Sequence, residues 1–356
     1  GFRPGTDGFP FENYVNTLAN NEKAQNLTPA EVRRMFGDRV VSRVNGSEIV
    51  LTPPARKWME EISSSMNGGH CAGLSYMSLL VYTKQLEISG AFGVNSLQAL
   101  TLEKNPLLQR EIGYWWATQV VSPGGDRIDG TPVEILDRLI AALKPDATDT
   151  YSIAIFKRDW TGGHAVTPFA VEDKGNNVYD VLLYDNNWPN RTRRMTIDRT
   201  KNTWQYSASI NPQADADLYE GDATTRTLFV EPMSRHNQMQ ICGFCDDENS
   251  AAARSGLSNS EGPLQFNEIF VDGNGVHLLI TDGQGRRYGW DNGVFIQEIP
   301  DVSHRLVLGA DLWNDARSPV FLVPAHEQFE LTLHLPDSLD VSSPTNQTYT
   351  AVTMIG

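Results

Sequence analysis

The chemistry-bearing residues of this chain fall in a fixed order: a cysteine behind two glycines, a histidine behind two glycines, and a carboxylate at the end of an apolar run. The first stands in Met66-Asn67-Gly68-Gly69-His70-Cys71-Ala72-Gly73-Leu74-Ser75, followed by the apolar stretch 76–82. Two glycines permit a tight turn, and the spacing of Leu74, Met77, Ser78 and Val81 predicts a helix that starts at Cys71 and buries one face. A thiol in the first turn of a helix meets the positive end of the macrodipole, which favours thiolate, and the Cys71 amide becomes a donor for an oxyanion. The second segment is Gly162-Gly163-His164-Ala165-Val166, with the histidine at a strand start. The third is Tyr184-Asp185-Asn186-Asn187-Trp188. A thiolate nucleophile needs a base, and the base needs a group that orients it. His164, with Asp185 or Asn186, supplies both.

The elements that must position these groups are also legible. Thr28-Pro29-Ala30-Glu31 and Thr131-Pro132-Val133-Glu134 are capping boxes with proline at the first helical position, and helices are predicted over 54–66, from Cys71, and over 106–121. From Tyr151 the period becomes that of strands, over 151–157, 165–172 and 179–184, with Asp173-Lys174-Gly175-Asn176-Asn177 as the turn between the last two. That turn brings the end of one strand beside the start of the other, and so Asp185 or Asn186 beside His164. Hairpin-like segments continue over 195–209. After about residue 234 short strands and Asp-Gly turns predominate. The predicted fold class is α+β: a helical lobe and an antiparallel β lobe over 1–234, with 1–52 as an extension packing on them, followed by an all-β, sandwich-like accessory domain over 235–356. Residues 251–262, small and polar, are read as a loop.

The order Cys71, His164, Asp185/Asn186, with a helical layer before a sheet, resembles the papain-like cysteine peptidases and their bacterial relatives over about residues 55–210. Asn187-Trp188 is similar to the Asn-Ser-Trp signature of that family, which puts Asn186 in the Asn position; aligned on the strand end, Asp185 takes the third role, as in relatives that use aspartate. Asp185 is preferred, because a carboxylate orients the ring and also stabilises the imidazolium. The resemblance implies a Cys-His-Asp/Asn triad, a thioester intermediate and a peptide or protein substrate. The Cys-Gly-Ser/Ala-Cys-Trp/Tyr signature is absent, His164 follows Cys71 at a spacing shorter than the roughly 130–150 residues of the papain branch, and Ser65 stands where a glutamine oxyanion donor is usual. These differences imply a distant bacterial branch with Asn67 as the candidate oxyanion donor. Gly69, His70, Gly163 and Trp188 are read as cleft-lining, Trp188 as a cover over the His-Asp bond. His70 adjoins Cys71, but neighbours at a helix start point in different directions, so His164 is preferred as base.

Composition narrows the alternatives. A net charge of −15 repels phosphate backbones and anionic lipid, which argues against nucleic-acid partners. No run of about 18 apolar residues occurs, so no membrane insertion is expected. Three cysteines are too few for a disulfide framework or a four-cysteine zinc site. Cys242-Gly243-Phe244-Cys245 has three readings: a local disulfide, half of a metal knuckle with His236 or Asp246, or a redox pair. A disulfide is preferred, because ligands for a zinc site and the βαβ setting of a redox pair are both wanting. Residues 246–249 and the Asp-Gly pairs are read as turns rather than calcium loops, since the twelve-residue loop with its terminal glutamate is missing. Trp115-Trp116 is read as core. The start at Gly1-Phe2-Arg3-Pro4, without Met, reads as a trimmed or mature form. The expectation is thus a secreted, monomeric cysteine peptidase without metal or cofactor. An acyltransferase, amidase or deamidase using the same triad is the first alternative, and a non-catalytic binding or adhesion protein the second.

Overall fold

A computed structural model describes residues 1–245, 266–272, 276–308, 319–334 and 351–356. The expected loop at 251–262, the acidic run 246–249 and the turn at 273–275 lie outside the described residues. Among the described residues are eight α-helices: α1 (Pro4–Asp7), α2 (Pro29–Phe36), α3 (Pro53–Ser65), α4 (Cys71–Tyr82), α5 (Ser89–Phe92), α6 (Pro106–Ala117), α7 (Pro132–Ala142) and α8 (Met233–His236). A hairpin of β1 (Val41–Asn45) and β2 (Glu48–Leu51) joins α2 to α3. Both capping boxes form: the Thr28 and Thr131 backbone amides donate to Glu31 and Glu134 at 2.8 and 2.7 Å, while the two threonine hydroxyls accept amides of the first turn. The Pro-started helices α3 and α6 are capped by Thr52 and Asn105. Each cap satisfies amides that a helix start would otherwise leave unpaired.

One eight-stranded sheet follows, built of β3 (Ile128–Asp129), β4 (Tyr151–Ile155), β5 (His164–Asp173), β6 (Val178–Tyr184), β7 (Thr192–Asp198), β8 (Thr203–Ala208), β9 (Asp217–Asp222) and β10 (Leu228–Pro232). Its order is β3-β10-β4-β5-β6-β7-β8-β9, with every neighbouring pair antiparallel. The sheet curls until the 157–162 loop meets β9: Lys157 pairs with Asp217, Arg158 with Asp222 at 3.0 Å, and the Tyr219 hydroxyl donates to the Gly162 carbonyl. Trp204, Tyr206 and Tyr219 fill the space inside.

Helix α4 lies between the sheet and α6. The sequence predicts one buried face that includes Val81; instead every residue from Cys71 to Leu80 is buried, and Val81 is only half-buried. The reason is a second contact surface. On one side Gly73 approaches α6 so closely that a Cβ there would stand 2.2 Å from the Ile112 carbonyl oxygen. On the other, the Ser75 hydroxyl meets those of Ser152 on β4 at 2.9 Å and Thr167 on β5 at 2.8 Å. These small polar side chains let a helix dock on a sheet without leaving a buried polar atom unpaired.

The last strands are β11 (Phe266–Asp272), β12 (His277–Asp282), β13 (Arg287–Asp291), β14 (Val294–Gln297), β15 (Ser303–Arg305), β16 (Val320–Pro324), β17 (Phe329–His334) and β18 (Ala351–Ile355). They form two antiparallel four-stranded sheets, β15-β16-β11-β18 and β14-β13-β12-β17. Ile269, Phe321 and Val323 of the first share a core with Leu278, Ile280 and Tyr288 of the second. The outer face of the first joins the main core through Phe270, Val320 and Ile355. Residues 235–245, grouped with these strands in the sequence reading, pack on the helical layer: Phe244 lies against Phe36 and Trp58, and His236 against Tyr76.

Candidate active site

Gly69 has φ 125°, a conformation only glycine adopts without strain, and this turn aims the chain into α4 with Cys71 as its first residue. The His70 amide preceding the helix donates to the Asn13 side-chain oxygen at 2.7 Å. Cys71 is buried and is the free cysteine; Cys242 and Cys245 are joined in a disulfide with a Cα separation of 5.5 Å.

His164 opens β5, opposite Ile155 of β4. Both glycines before it are required by packing. Gly162 has φ 64°, and a Cβ there would lie 2.4 Å from the Tyr219 hydroxyl; a Cβ on Gly163 would lie 2.6 Å from the Phe156 ring and 2.8 Å from the Val307 carbonyl oxygen. Across the next pairing Tyr184 faces Thr167, so Asp185 emerges from β6 beside the start of β5. His164 Nε2–H donates to Asp185 Oδ1 at 2.8 Å, and the Cys71 thiol is near enough to the same ring to help raise its pKa. With Nε2 taken by the carboxylate, Nδ1 is the nitrogen left for the thiol, and the hydrogen bond to Asp185 sets that tautomer.

The three side chains are fully buried. Burial disfavours a charged imidazole, but the Asp185 charge, its hydrogen bond and the Cys71 thiol outweigh that, and the His164 pKa is raised to about 10. Burial likewise pushes the Asp185 carboxyl up. It is more than offset by His164 and by hydrogen bonds from Tyr206 and the Asn187 amide, which hold the group below the usual carboxylate range. An ionised carboxylate, a ring with a favoured imidazolium and a thiol at a helix start are thus brought together.

Asn186, the alternative third residue, does not touch the ring. Its side-chain amide donates to the carbonyls of Cys71 and Ala165, both at 3.0 Å, tying the start of α4 to the start of β5. Asn67, the sequence candidate for the oxyanion donor, is exposed in a 3-10 turn over Met66–Gly68. His70 does not line a cleft. It is buried, stacked on Tyr14 at 4.0 Å between ring centroids, with Nδ1 and Nε2 engaged by the Tyr14 carbonyl and Asn26; burial lowers its pKa to about 4. Gly69 is a buried turn residue. Trp188 is half-buried, with the Arg193 guanidinium 4.1 Å above its ring.

Asn13 and Tyr206 escaped the sequence reading. Asn13 joins the site from the N-terminal segment, accepting the His70 amide and donating its own amide to the Asn186 carbonyl at 2.9 Å. It also lines, with Tyr14, Gly68, Pro189 and Asn211, a surface cleft of about 580 Å³ beside the start of α4. No family model matches the chain, and neither a curated protein nor a solved structure is found similar to it. The functional reading therefore rests on the geometry of the site.

Proposed function

We propose that this protein is a cysteine hydrolase of papain-like plan that cleaves peptide bonds. The observation that carries the reading is the buried set Cys71, His164 and Asp185, in which His164 donates to Asp185 at 2.8 Å and the thiol stands on the first residue of a buried helix. In the proposed reaction the Cys71 proton is held on His164 Nδ1, where the Asp185 charge favours the imidazolium, and the thiolate sulfur attacks the scissile carbonyl carbon. The negative charge that develops on the carbonyl oxygen is taken by the Cys71 backbone N–H. Collapse of the tetrahedral intermediate breaks the C–N bond, and His164 returns its proton to the leaving amine, which departs with the C-terminal part of the substrate. Water then attacks the thioester carbonyl. It gives a proton to His164, which passes it to the departing Cys71 sulfur, and the acid product leaves.

Asp185 stays ionised throughout and compensates the imidazolium. The surface cleft lined by Asn13, Gly68 and Pro189 is the nearest described opening to the start of α4 in sequence, through Gly68, and is where the proposal places an extended chain. A secreted location accords with the Cys242–Cys245 disulfide, because such bonds persist in oxidising compartments.

The test is turnover of a mixed-sequence peptide library together with covalent trapping. Wild-type protein should release new N-termini and take up one equivalent of a peptide carrying a thiol-reactive electrophile on Cys71, located by mass spectrometry. Cys71→Ala and His164→Ala should each lose turnover by on the order of 100-fold or more. Cleavage that survives in Cys71→Ala would refute the assignment.

A further inference from the structure

Strand β8 contributes no residue to the site as read from the sequence, yet it carries the group that completes the Asp185 environment. Trp204, Tyr206 and Ala208 alternate on the buried face of β8, and Tyr206 pairs with Met195 of β7 and Tyr219 of β9. The Tyr206 hydroxyl donates to Asp185 Oδ2. Asp185 Oδ1 takes His164 Nε2–H at 2.8 Å and the Asn187 amide at 2.9 Å. Both carboxylate oxygens are therefore held by groups on three different segments. Tyr219, the cross-strand neighbour of Tyr206, donates to the Gly162 carbonyl two residues before the histidine. The β8–β9 pair thus braces both the orienting carboxylate and the turn that delivers the ring.

A carboxylate held at one oxygen can rotate about its Cβ–Cγ bond; held at both it cannot. We propose that Tyr206 is a positioning residue for the cysteine hydrolase reaction, locking the Asp185 carboxylate in the plane that keeps His164 directed at Cys71. The role rests on the reaction proposed above. The acceptor side of the bond also matters. A buried anion that loses one donor is stabilised less in its charged form, so its protonation moves to higher pH and the imidazolium loses its counter-charge earlier on acidification.

The experiment compares wild type, Tyr206→Phe, Asp185→Ala and the double variant, with peptide turnover and iodoacetamide alkylation of Cys71 each measured from pH 4 to 10. Tyr206→Phe keeps every ring contact and removes one oxygen. It should lower kcat about 10-fold with KM unchanged, as loss of orientation does. Its acid limb should move up by about one pH unit, the loss of one bond to a charged group. Because Tyr206 acts through Asp185, adding Tyr206→Phe to Asp185→Ala should change kcat less than about 2-fold. The double variant leaves no orphaned carboxylate oxygen, so it reports on the coupling even where the single variant folds poorly. Equal losses from Tyr206→Phe in both backgrounds, or an unmoved acid limb in an active enzyme, would show a merely structural tyrosine and overturn the proposal alone. A wild-type protein without turnover or acid-side alkylation of Cys71 would overturn the reaction, and the role of Tyr206 with it.

Discussion

Glu268 provides the sharpest test of how the C-terminal sheets are joined to the rest. It lies on β11, buried against the helical layer, and its Oε2 has no hydrogen-bond partner among the described residues. Burial raises its pKa from 4.5 to about 7, opposed by the Arg305 charge from β15 and the Trp58 indole from α3. The folded protein therefore keeps a proton that the unfolded chain has already released at neutral pH. Since the native state binds more protons between these two values, stability falls as pH rises from about 4.5 and stops falling above about 7. The loss is about two and a half pKa units at 1.36 kcal/mol each, or about 3 kcal/mol, an upper value for so buried a group. Glu268→Gln has nearly the same shape and no charge. It should be close to neutral at pH 4.5 and more stable than wild type by up to about 3 kcal/mol at pH 8. Guanidinium or thermal unfolding at the two pH values measures the difference. At roughly 2 °C per kcal/mol for a chain of this size, the midpoint should rise by up to about 6 °C at pH 8 only. A Gln variant that is equally destabilised at both pH values would refute the reasoning, since it would mean that Glu268 is held by its charge.

The remaining tests are compact. Asp185→Asn removes the charge that raises the His164 pKa, so the alkaline limb of activity, governed by loss of the imidazolium near pH 10, should move down by at least about one unit; an unmoved limb would detach Asp185 from the base. Gly73→Ala sets a methyl against the Ile112 carbonyl oxygen at 2.2 Å, and should cost about 3 kcal/mol or prevent folding, read from denaturant midpoints. Ser75→Ala leaves the Ser152 and Thr167 hydroxyls short of a shared partner and should cost about 1–2 kcal/mol, measured the same way. A chain ending at residue 245 should aggregate or unfold rather than yield an active fragment, because Trp58 and the Phe270, Val320 and Ile355 side chains share one core; size-exclusion chromatography and near-UV dichroism decide.

What could be read from the sequence was local. A Thr-Pro-x-Glu box states a helix start within four residues, and a double glycine before Cys71 states a turn, because caps and φ values depend on neighbours alone. Cys71 and His164 were marked for the same reason, each by its own flanking residues. The choice between Asp185 and Asn186 was of another kind. Both follow one strand, and which faces the ring is set by how β6 ends against β5, where Asn186 instead bonds Cys71 and Ala165. Asn67 was chosen by spacing, but the 3-10 turn at Met66–Gly68 carries it to the surface. His70 looked like a cleft residue until Tyr14, far away in sequence, stacked on it. Tyr206 had no local signal at all: only the β7–β8 and β8–β9 registers bring it to Asp185.

The same contrast bears on the C-terminal sheets. An appended module contacts its neighbour through few groups, whereas here the segment that follows β15 reaches into the main body. Arg127 donates to the Leu306 carbonyl at 2.8 Å, the Leu308 amide donates to the Gln119 side-chain oxygen at 2.7 Å, and Leu308 is fully buried. Between them the Val307 carbonyl stands against Gly163, the residue before His164. A side chain at position 163 would collide with that carbonyl, so the glycine is required by a contact made more than a hundred residues later. The histidine is thus fixed on one side by Asp185 and Tyr206 and on the other by a turn that the C-terminal region packs against. The position of His164 is set by the curled eight-stranded sheet and by the region beyond it together. For that reason the segment that follows β15 is part of what holds the candidate site in place.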